Sequence, residues 1–485
     1  MNKGRMIVLL LFVLFILSFI PMRTQASGSG DYPPPVNGDW NITVDTVVEN
    51  ETILLNGNLT VQNGASLTFE NVTLLMNCTA SAQWKIDIRN GSTFTILDLD
   101  YDNTTSEDAS VITAVDSNYN FLFLVREQAV FEMRNSNLHE CGQGYIAWQW
   151  NPLAPQGAWY GLCILTDNAI IEYNNISNNR YGVVCWDSDA IISNNTIENN
   201  DKAGVMATVW SNGTIENNRI IGNLQYGIWV DGWSNTDPQP SNPIVRKNYI
   251  YDSGQGSQVA NGLHITVYSK PVVEDNQIIN STEDGIYCGQ WCEVTIRNTT
   301  IQGGNFGIVG GGACRDVTII NCSISGANFF DLSSNSQSYF HVINSTFGTS
   351  ECDGDPASIT VKWYLHVRAE DQAGLPISGA TVVVRNESSV EKYNRLTNVD
   401  GVVKWMVVTE YVDQNVSGST IRTYHTPHEV EVTYGGFTFS NNPRSVDMDS
   451  SKTEVFVSNE FIPEFTTILL PILFILFINI FYRKV

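Results

Sequence analysis

The sequence predicts an all-β chain: a parallel β-helix followed by a small β-sandwich, with a secretory signal ahead and a transmembrane helix behind. Three observations carry this. First, a phrase of glycine plus an apolar residue returns through the middle of the chain, at Gly161, Gly182, Gly204, Gly227, Gly262, Gly285 and Gly307. Second, about fifteen residues later each phrase closes on an aliphatic or aromatic residue, at Ile176, Ile197, Ile220, Ile250, Ile278, Ile301, Ile324 and Phe347. The step is about 22 residues, a period of stacked repeats. Third, the units hold only short runs of β-branched residues such as Ala190-Ile191-Ile192, broken by Asn and Gly, which suits two or three strands per coil and not helix pairs. The spaced leucines of a leucine-rich repeat are absent.

Asn194, Asn217, Asn298, Asn321 and Asn344 stand three residues before the closing residue, interrupted by Tyr173, Lys247 and Asp275. A stacked asparagine column, satisfied from the coils above and below, is expected there.

Taken in order, residues 1–26 read as a signal peptide: Lys3 and Arg5, an apolar run from Met6 to Ile20, then small residues Thr24 and Ala26. Residues 27–39 are a Gly/Ser/Pro linker. The β-helix is assigned to 40–349, its first coils and cap lying between Trp40 and Asp98, because an open end of a solenoid must be covered. Asp98, Asp100 and Asp102, with Glu107 and Asp108, alternate like the start of a calcium loop. Asn103 stands where such a loop needs glycine and Ala109 where it needs a carboxylate, so calcium is the sharper reading of what is otherwise an acidic surface loop. Long insertions interrupt the array at 141–160, which holds Trp148, Trp150 and Trp159, at 236–243 and at 251–260. Insertions in repeat proteins gather on one face, often a binding face.

Counting from each repeat glycine, the first and third residues should point inward and the second outward. The second position reads Met206, Trp229, His264, Tyr287 and Val309; the fourth adds Trp186 and Asp231. A sixth-position column holds Trp210, Trp233, Tyr268 and Trp291. Rings one coil apart would form a flat ladder suited to sugar faces, or would serve only to join neighbouring coils. Cys292 and Cys314 occupy the seventh position of adjacent coils. In-register strands are roughly 5 Å apart, within disulfide range, so a bond is expected in a secreted chain. Cys163 and Cys185 fall on opposite parity and should not pair.

A linker at 350–358 leads to 359–457, where alternating strands are separated by turns at Asp400-Gly401 and Gly435-Gly436, as in a β-sandwich. The tail 458–485 holds an apolar run from Thr466 to Tyr482 before Arg483-Lys484, a marginal membrane span with its basic end inside. The formal charge is −24 with a pI near 4.5 and no basic stripe, which argues against a nucleic-acid partner. About sixteen Asn-x-Ser/Thr sequons fit an exported glycoprotein.

Over residues 129–347 the repeats resemble right-handed parallel β-helix proteins of the NosD and carbohydrate-binding/sugar-hydrolase type, and more distantly pectate lyases and polygalacturonases. The phrases Gly374-Leu-Pro-Ile-Ser-Gly-Ala-Thr-Val and Thr397-Asn-Val-Asp-Gly-Val resemble carboxypeptidase-regulatory-like and immunoglobulin-like domains, which are accessory stalks or binding modules. Pro463-Glu464-Phe465, the apolar run and the basic end resemble the C-terminal sorting signals of archaeal surface proteins, which implies a sortase-like processing enzyme and a membrane anchor. The catalytic motifs of the hydrolases do not carry over. Asn235-Thr236-Asp237 matches one piece, but no Asp-Asp pair follows and His264 lies in Leu-His-Ile. A metal-delivery role of the NosD kind lacks clustered Met, His or Cys ligands. The expectation is therefore an extracellular, surface-anchored β-helix for recognition or envelope structure, binding polysaccharide or a cell-surface glycan through Trp186, Trp210, Trp229, Trp233, Tyr268, Tyr287 and Trp291, without a cofactor unless calcium. The alternative is a polysaccharide lyase or glycoside hydrolase using Asp231, Asp237 and His264.

Overall fold

The computed structural model describes residues 27–100, 107–142, 160–233, 238–254 and 260–460. The signal segment, the C-terminal apolar run, Asp102, Asp237, Trp148, Trp150 and Trp159 lie outside them. Among the described residues the regular structure is all β, with no helix long and apolar enough to cross a membrane. The chain divides into two units, 1–292 with 300–307, and 293–299 with 308–485.

In the first unit the coils from Lys85 to Ile279 carry three strands each, whereas the first two coils merge the second and third into Thr46–Leu55 and Ser66–Met76. Tyr181–Trp186, Ile191–Ser193 and Thr196–Glu198 form one coil; Ala203–Thr208, Thr214–Glu216 and Arg219–Ile221 form the next. Successive coils pair in parallel and in register, with Val183 opposite Val205, Ile192 opposite Ile215 and Ile197 opposite Ile220. The closing residues Ile176, Ile197, Ile220, Ile250, Ile278 and Ile301 are 0–1% exposed. Full burial of one such side chain is worth roughly 1.5–3 kcal/mol, so this column alone is a large share of the stacking energy.

The repeat glycine is explained by that column. A Cβ on Gly182 would sit 2.7 Å from Ile197 Cγ2, and one on Gly227 would sit 2.5 Å from Ile250 Cγ2. The opening glycine and the closing isoleucine of one coil therefore face each other across its interior. The N-terminal coils fill the same space with rings instead: Trp40, Phe69, Phe94 and Phe131 pack in series at centroid separations of 6.2, 5.1 and 6.3 Å.

The asparagine column falls partly elsewhere than expected. Asn194 and Asn217, with Tyr173, Lys247 and Asp275, take left-handed backbone (φ 54 to 59°) at the corner between two strands. Direct side-chain bonds in this column occur near the ends, Asn71 Nδ2 to Asn50 Oδ1 at 2.8 Å and, in the second unit, Asn344 Nδ2 to Asn321 Oδ1 at 2.8 Å. The buried ladder is one residue later, at Asn174, Asn195, Asn218, Asn248 and Asn276, each at most 2% exposed. Asn195 N and Nδ2 donate to Asn218 Oδ1, and Asn218 N and Nδ2 donate to Asn248 Oδ1, at 3.0–3.1 Å. A second column, Asn179, Asn200 and Asn223, does the same at the next corner. The corner residue must adopt a left-handed conformation and stays accessible; its successor turns inward, where every polar atom needs a partner.

In the second unit Glu293–Arg297, Asp316–Ile320, Ser338–Ile343 and the start of Ala357–Glu370 stack in parallel. The stretch expected as a linker thus holds the strand Ser350–Asp353 and the beginning of Ala357–Glu370. Ala357–Glu370 then pairs with Val402–Val416 and Lys452–Val457. A separate sheet joins Glu391–Leu396, Thr381–Arg385, His428–Thr433 and Arg444–Val446. Leu365, Val382, Val384, Met406, Val430 and Phe456 from both sheets share one core. His428 is buried and its Nε2 donates to Thr409 O at 2.8 Å, while His425 Nδ1 meets Glu387, so these two histidines serve different partners.

Candidate functional site

The site is built on the first sheet of each coil. Parallel pairing puts Met206, Trp229, His264 and Tyr287 in one column, with Thr208, Asp231 and Thr266 two residues along. The His264 ring stacks between Tyr226 (4.5 Å, 25°) and Tyr287 (4.9 Å, 9°), and Trp229 meets it edge-on at 6.1 Å. Asn261 Nδ2 lies 2.8 Å from His264 Nδ1, an arrangement that makes Nδ1 the acceptor and leaves the ring proton on Nε2. Burial lowers the His264 pKa to about 4, so the ring is neutral at pH 7.

The outward positions are not uniformly wet. Val184 is 0% and Met206 3% exposed, and with Leu124, Cys163, Tyr181 and Tyr226 they form a hydrophobic cluster of their own. Trp186 and Trp229 pack at its edge. Outward orientation from a sheet is therefore not the same as solvent exposure, and the accessible rings begin where this cluster stops: Trp229, His264 and Tyr287 are half-buried.

The sixth-position rings do not form a single ladder. Trp210, Trp233, Tyr268 and Trp291 all take left-handed backbone (φ 57, 67, 61 and 70°), which swings each ring off the strand. Trp233 packs edge-on against Trp186 at 4.7 Å, whereas Tyr268 stacks with Trp291 at 6.3 Å and 23°. Trp210 is 49% exposed.

Three polar atoms in this face are buried without a partner among the described residues, Thr208 Oγ1, Trp229 Nε1 and Asn261 Oδ1. The last two are a donor and an acceptor beside the stacked aromatic wall.

The acids are spread out. Asp231 is 7% exposed, accepts from Thr266 Oγ1 at 2.9 Å, and is raised by burial. Asp284, which counting from the glycines passed over, lies one residue before Gly285 on the same sheet; burial and then the charge of Glu283 push it up to about 7. Register puts Asp231 opposite Thr266 and Asp284 opposite Asn261. Those partners are five residues apart on one strand, about 16 Å. Paired glycosidase carboxylates stand about 5–9.5 Å apart, so Asp231 and Asp284 are not such a pair.

The same sheet carries a basic cleft in its first coils. Asp87 is fully buried; Arg126 Nε and Nη2 donate to its two oxygens at 2.6 and 3.0 Å, and Lys85 and Arg89 stand at 3.4 and 3.8 Å. Burial alone would raise the Asp87 carboxyl; the bonds to Arg126 and Lys85 outweigh it and hold it below the usual range. Three cations against one carboxylate leave positive charge in excess, along an open cleft with Gln62, Asn63 and Asn90. The small group of neighbouring basic residues was invisible in a chain with an acidic total, because Arg126 is brought in from a later coil.

Residues 122–260 and 233–347 match the family model described as the right handed beta helix region. This part of the chain is a right-handed parallel β-helix. No curated protein matches the chain. Solved structures similar to it include the Dettilon tailspike protein, at 13% identity and TM-score 0.44 over 81% of this chain and 76% of that one. The periplasmic alginate epimerase AlgG aligns at 12% identity and TM-score 0.36, over 64% of this chain and 78% of that one. A double mutant of the same epimerase aligns at 14% and 0.34, over 61% of this chain and 66% of that one.

Proposed function

We propose that this β-helix is an extracellular, surface-anchored recognition protein whose first sheet binds polysaccharide. The observation that carries the reading is the Tyr226–His264–Tyr287 stack with Trp229 at its edge, flanked by the unpartnered Trp229 Nε1 and Asn261 Oδ1. Sugar rings present apolar faces to aromatic rings and hydroxyls that both donate and accept. Exposed Trp210 and the Tyr268–Trp291 pair lengthen that surface, and the basic cleft around Asp87 favours a glycan carrying carboxylates. Export by residues 1–26, anchoring and sortase-like processing at 458–485, and a stalk role for 359–457 rest on the sequence alone and belong to the same proposal. The test is retention of purified protein on immobilised polysaccharides, screened first on a glycan array. Trp229→Ala together with Trp233→Ala should abolish retention without any product release by the parent protein; retention unchanged in that variant would refute the reading.

The second reading is a polysaccharide lyase or hydrolase. One observation favours it: the Asp284 carboxyl, poised near neutrality on the same face. Release of reducing ends or unsaturated products that disappears in Asp284→Asn or Asp231→Asn would establish it over simple binding.

A further inference from the structure

One corner of the first unit departs from those of the coils that follow it. From Asn135 to Asp275 a single left-handed residue joins two strands and a buried polar residue follows at once, as at Asn135-Ser136. Register aligns Asp98 with Asn135 and Ser110 with Ser136, because Ile96 pairs with Met133 and Val111 with Asn137. Residues 99–109 thus separate two positions that are adjacent in the next coil, and of these 101–106 lie outside the described residues. Ser110 closes the neck of this segment, donating from Oγ to Leu97 O at 2.5 Å and accepting from Val72 N at 3.1 Å.

At this neck the carboxylates of Asp98, Asp100 and Asp108 converge, with ligand atoms all within 4.8 Å of one another. Asp98 is 0% exposed. Its Oδ1 accepts from Asn135 Nδ2 at 3.3 Å; its Oδ2 is buried and has no partner among the described residues, and the same holds for Asn135 Oδ1. No lysine or arginine among the described residues pairs with Asp98 or Asp108. A buried carboxylate oxygen without a donor, beside two further carboxylates, is an unfavourable arrangement for the protein alone. It is a favourable one around a hard cation. The donors are all oxygen, which excludes a site tuned for zinc or copper. Two oxygens on one calcium ion lie no more than about 4.8 Å apart, twice a bond of about 2.4 Å, so the three carboxylates are close enough to share one, and calcium tolerates an irregular oxygen set that magnesium, with its strict octahedron, does not.

We propose that Asp98, Asp100 and Asp108 hold one calcium ion that locks the neck of this segment to its coil. The alternating triplet of the sequence names only part of the set: the fold brings Asp108 back to Asp98.

The experiment uses the purified full-length chain, stripped with chelator and titrated with calcium chloride alone, by calorimetry and by thermal unfolding. One binding event and a rise in Tm of several degrees at saturating calcium are expected, with a smaller response to the same concentration of magnesium chloride. The double variant Asp100→Asn/Asp108→Asn changes two accessible or half-buried groups and should fold as the parent does, with calcium affinity lowered at least tenfold and the calcium-dependent rise in Tm lost. Asp98→Asn should do the same. Calcium binding equal in parent and double variant, or absent from both, or matched by magnesium, would overturn the assignment.

Discussion

Asn218 Oδ1 accepts two hydrogen bonds from Asn195, from the backbone nitrogen and from Nδ2, both at 3.0 Å. Asn218 Nδ2 in turn donates back to Ile192 O at 2.9 Å and forward to Asn248 Oδ1 at 3.1 Å. One buried side chain therefore joins three coils. Asn218→Ala strands two donors and one acceptor in the interior, and each buried unsatisfied group costs about 1–3 kcal/mol. A loss of several kcal/mol is expected in urea unfolding. Asn217→Gly, at the left-handed corner beside it, should lie within about 1 kcal/mol of the parent. Equal effects at the two positions would show that the buried ladder is not what binds the coils.

The repeat glycine makes a sharper claim about packing. Gly227→Ala puts a methyl 2.5 Å from Ile250 Cγ2 and from Gly262 O. Overpacking of this kind costs about 1–3 kcal/mol. Ile250→Ala in the same background should recover part of the loss by opening space, and differential scanning calorimetry of the two variants reads the coupling.

Trp210 separates recognition from stability. Its ring is 49% exposed, so Trp210→Ala should leave Tm within a few degrees of the parent while weakening polysaccharide retention several-fold. Arg89→Ala, at the basic cleft, should weaken retention of an acidic polysaccharide and not of a neutral one, and the difference should shrink as salt is raised. Retention that ignores both changes would move the binding surface elsewhere.

The titrating groups on the first sheet oppose each other with pH. Asp284 is raised from 3.8 to about 7, so its contribution is fully present below about pH 4 and is lost as pH rises through 7. The shift corresponds to roughly 4 kcal/mol as an upper figure. His264 is lowered from 6.5 to about 4, so its contribution is present above pH 6.5 and lost as pH falls through 4. Asp284→Asn should raise Tm at pH 8 and leave it little changed at pH 4. His264→Gln should flatten the loss between pH 6.5 and 4. A parent-like pH profile in Asp284→Asn would place the ionisation elsewhere.

Cys292 and Cys314 are both fully buried. The bond between them remains a proposal from repeat counting. Non-reducing peptide mapping should recover them in one linked pair, and reduction should lower stability by about 3 kcal/mol for a loop of this length. Linkage of either to another cysteine would break the count.

The architecture was legible because a stacked coil repeats its constraints. Gly182 and Ile197, or Gly227 and Ile250, recur at fixed spacing since each pair meets across the same cross-section, and alternation then placed Trp229, His264 and Tyr287 in one column by counting. Asn195 and Asn218 were harder to single out, because neighbouring asparagines occupy the corner and its successor, and only the backbone conformation says which one turns inward. The same ambiguity made Met206 look solvent-facing: orientation follows from parity, but cover depends on what else packs there.

The sequence by itself determined the repeat, the strand register and the acidic total, since these follow from local spacing and composition. Tertiary structure alone decided which charges meet. It brought Arg126 to Asp87 and Asp108 to Asp98, and it drew Trp233 to Trp186 and away from the next ring in its column. Coulomb and packing energies depend on distance in space, and a coil that returns every two dozen residues, or opens into a loop, makes that distance independent of separation along the chain.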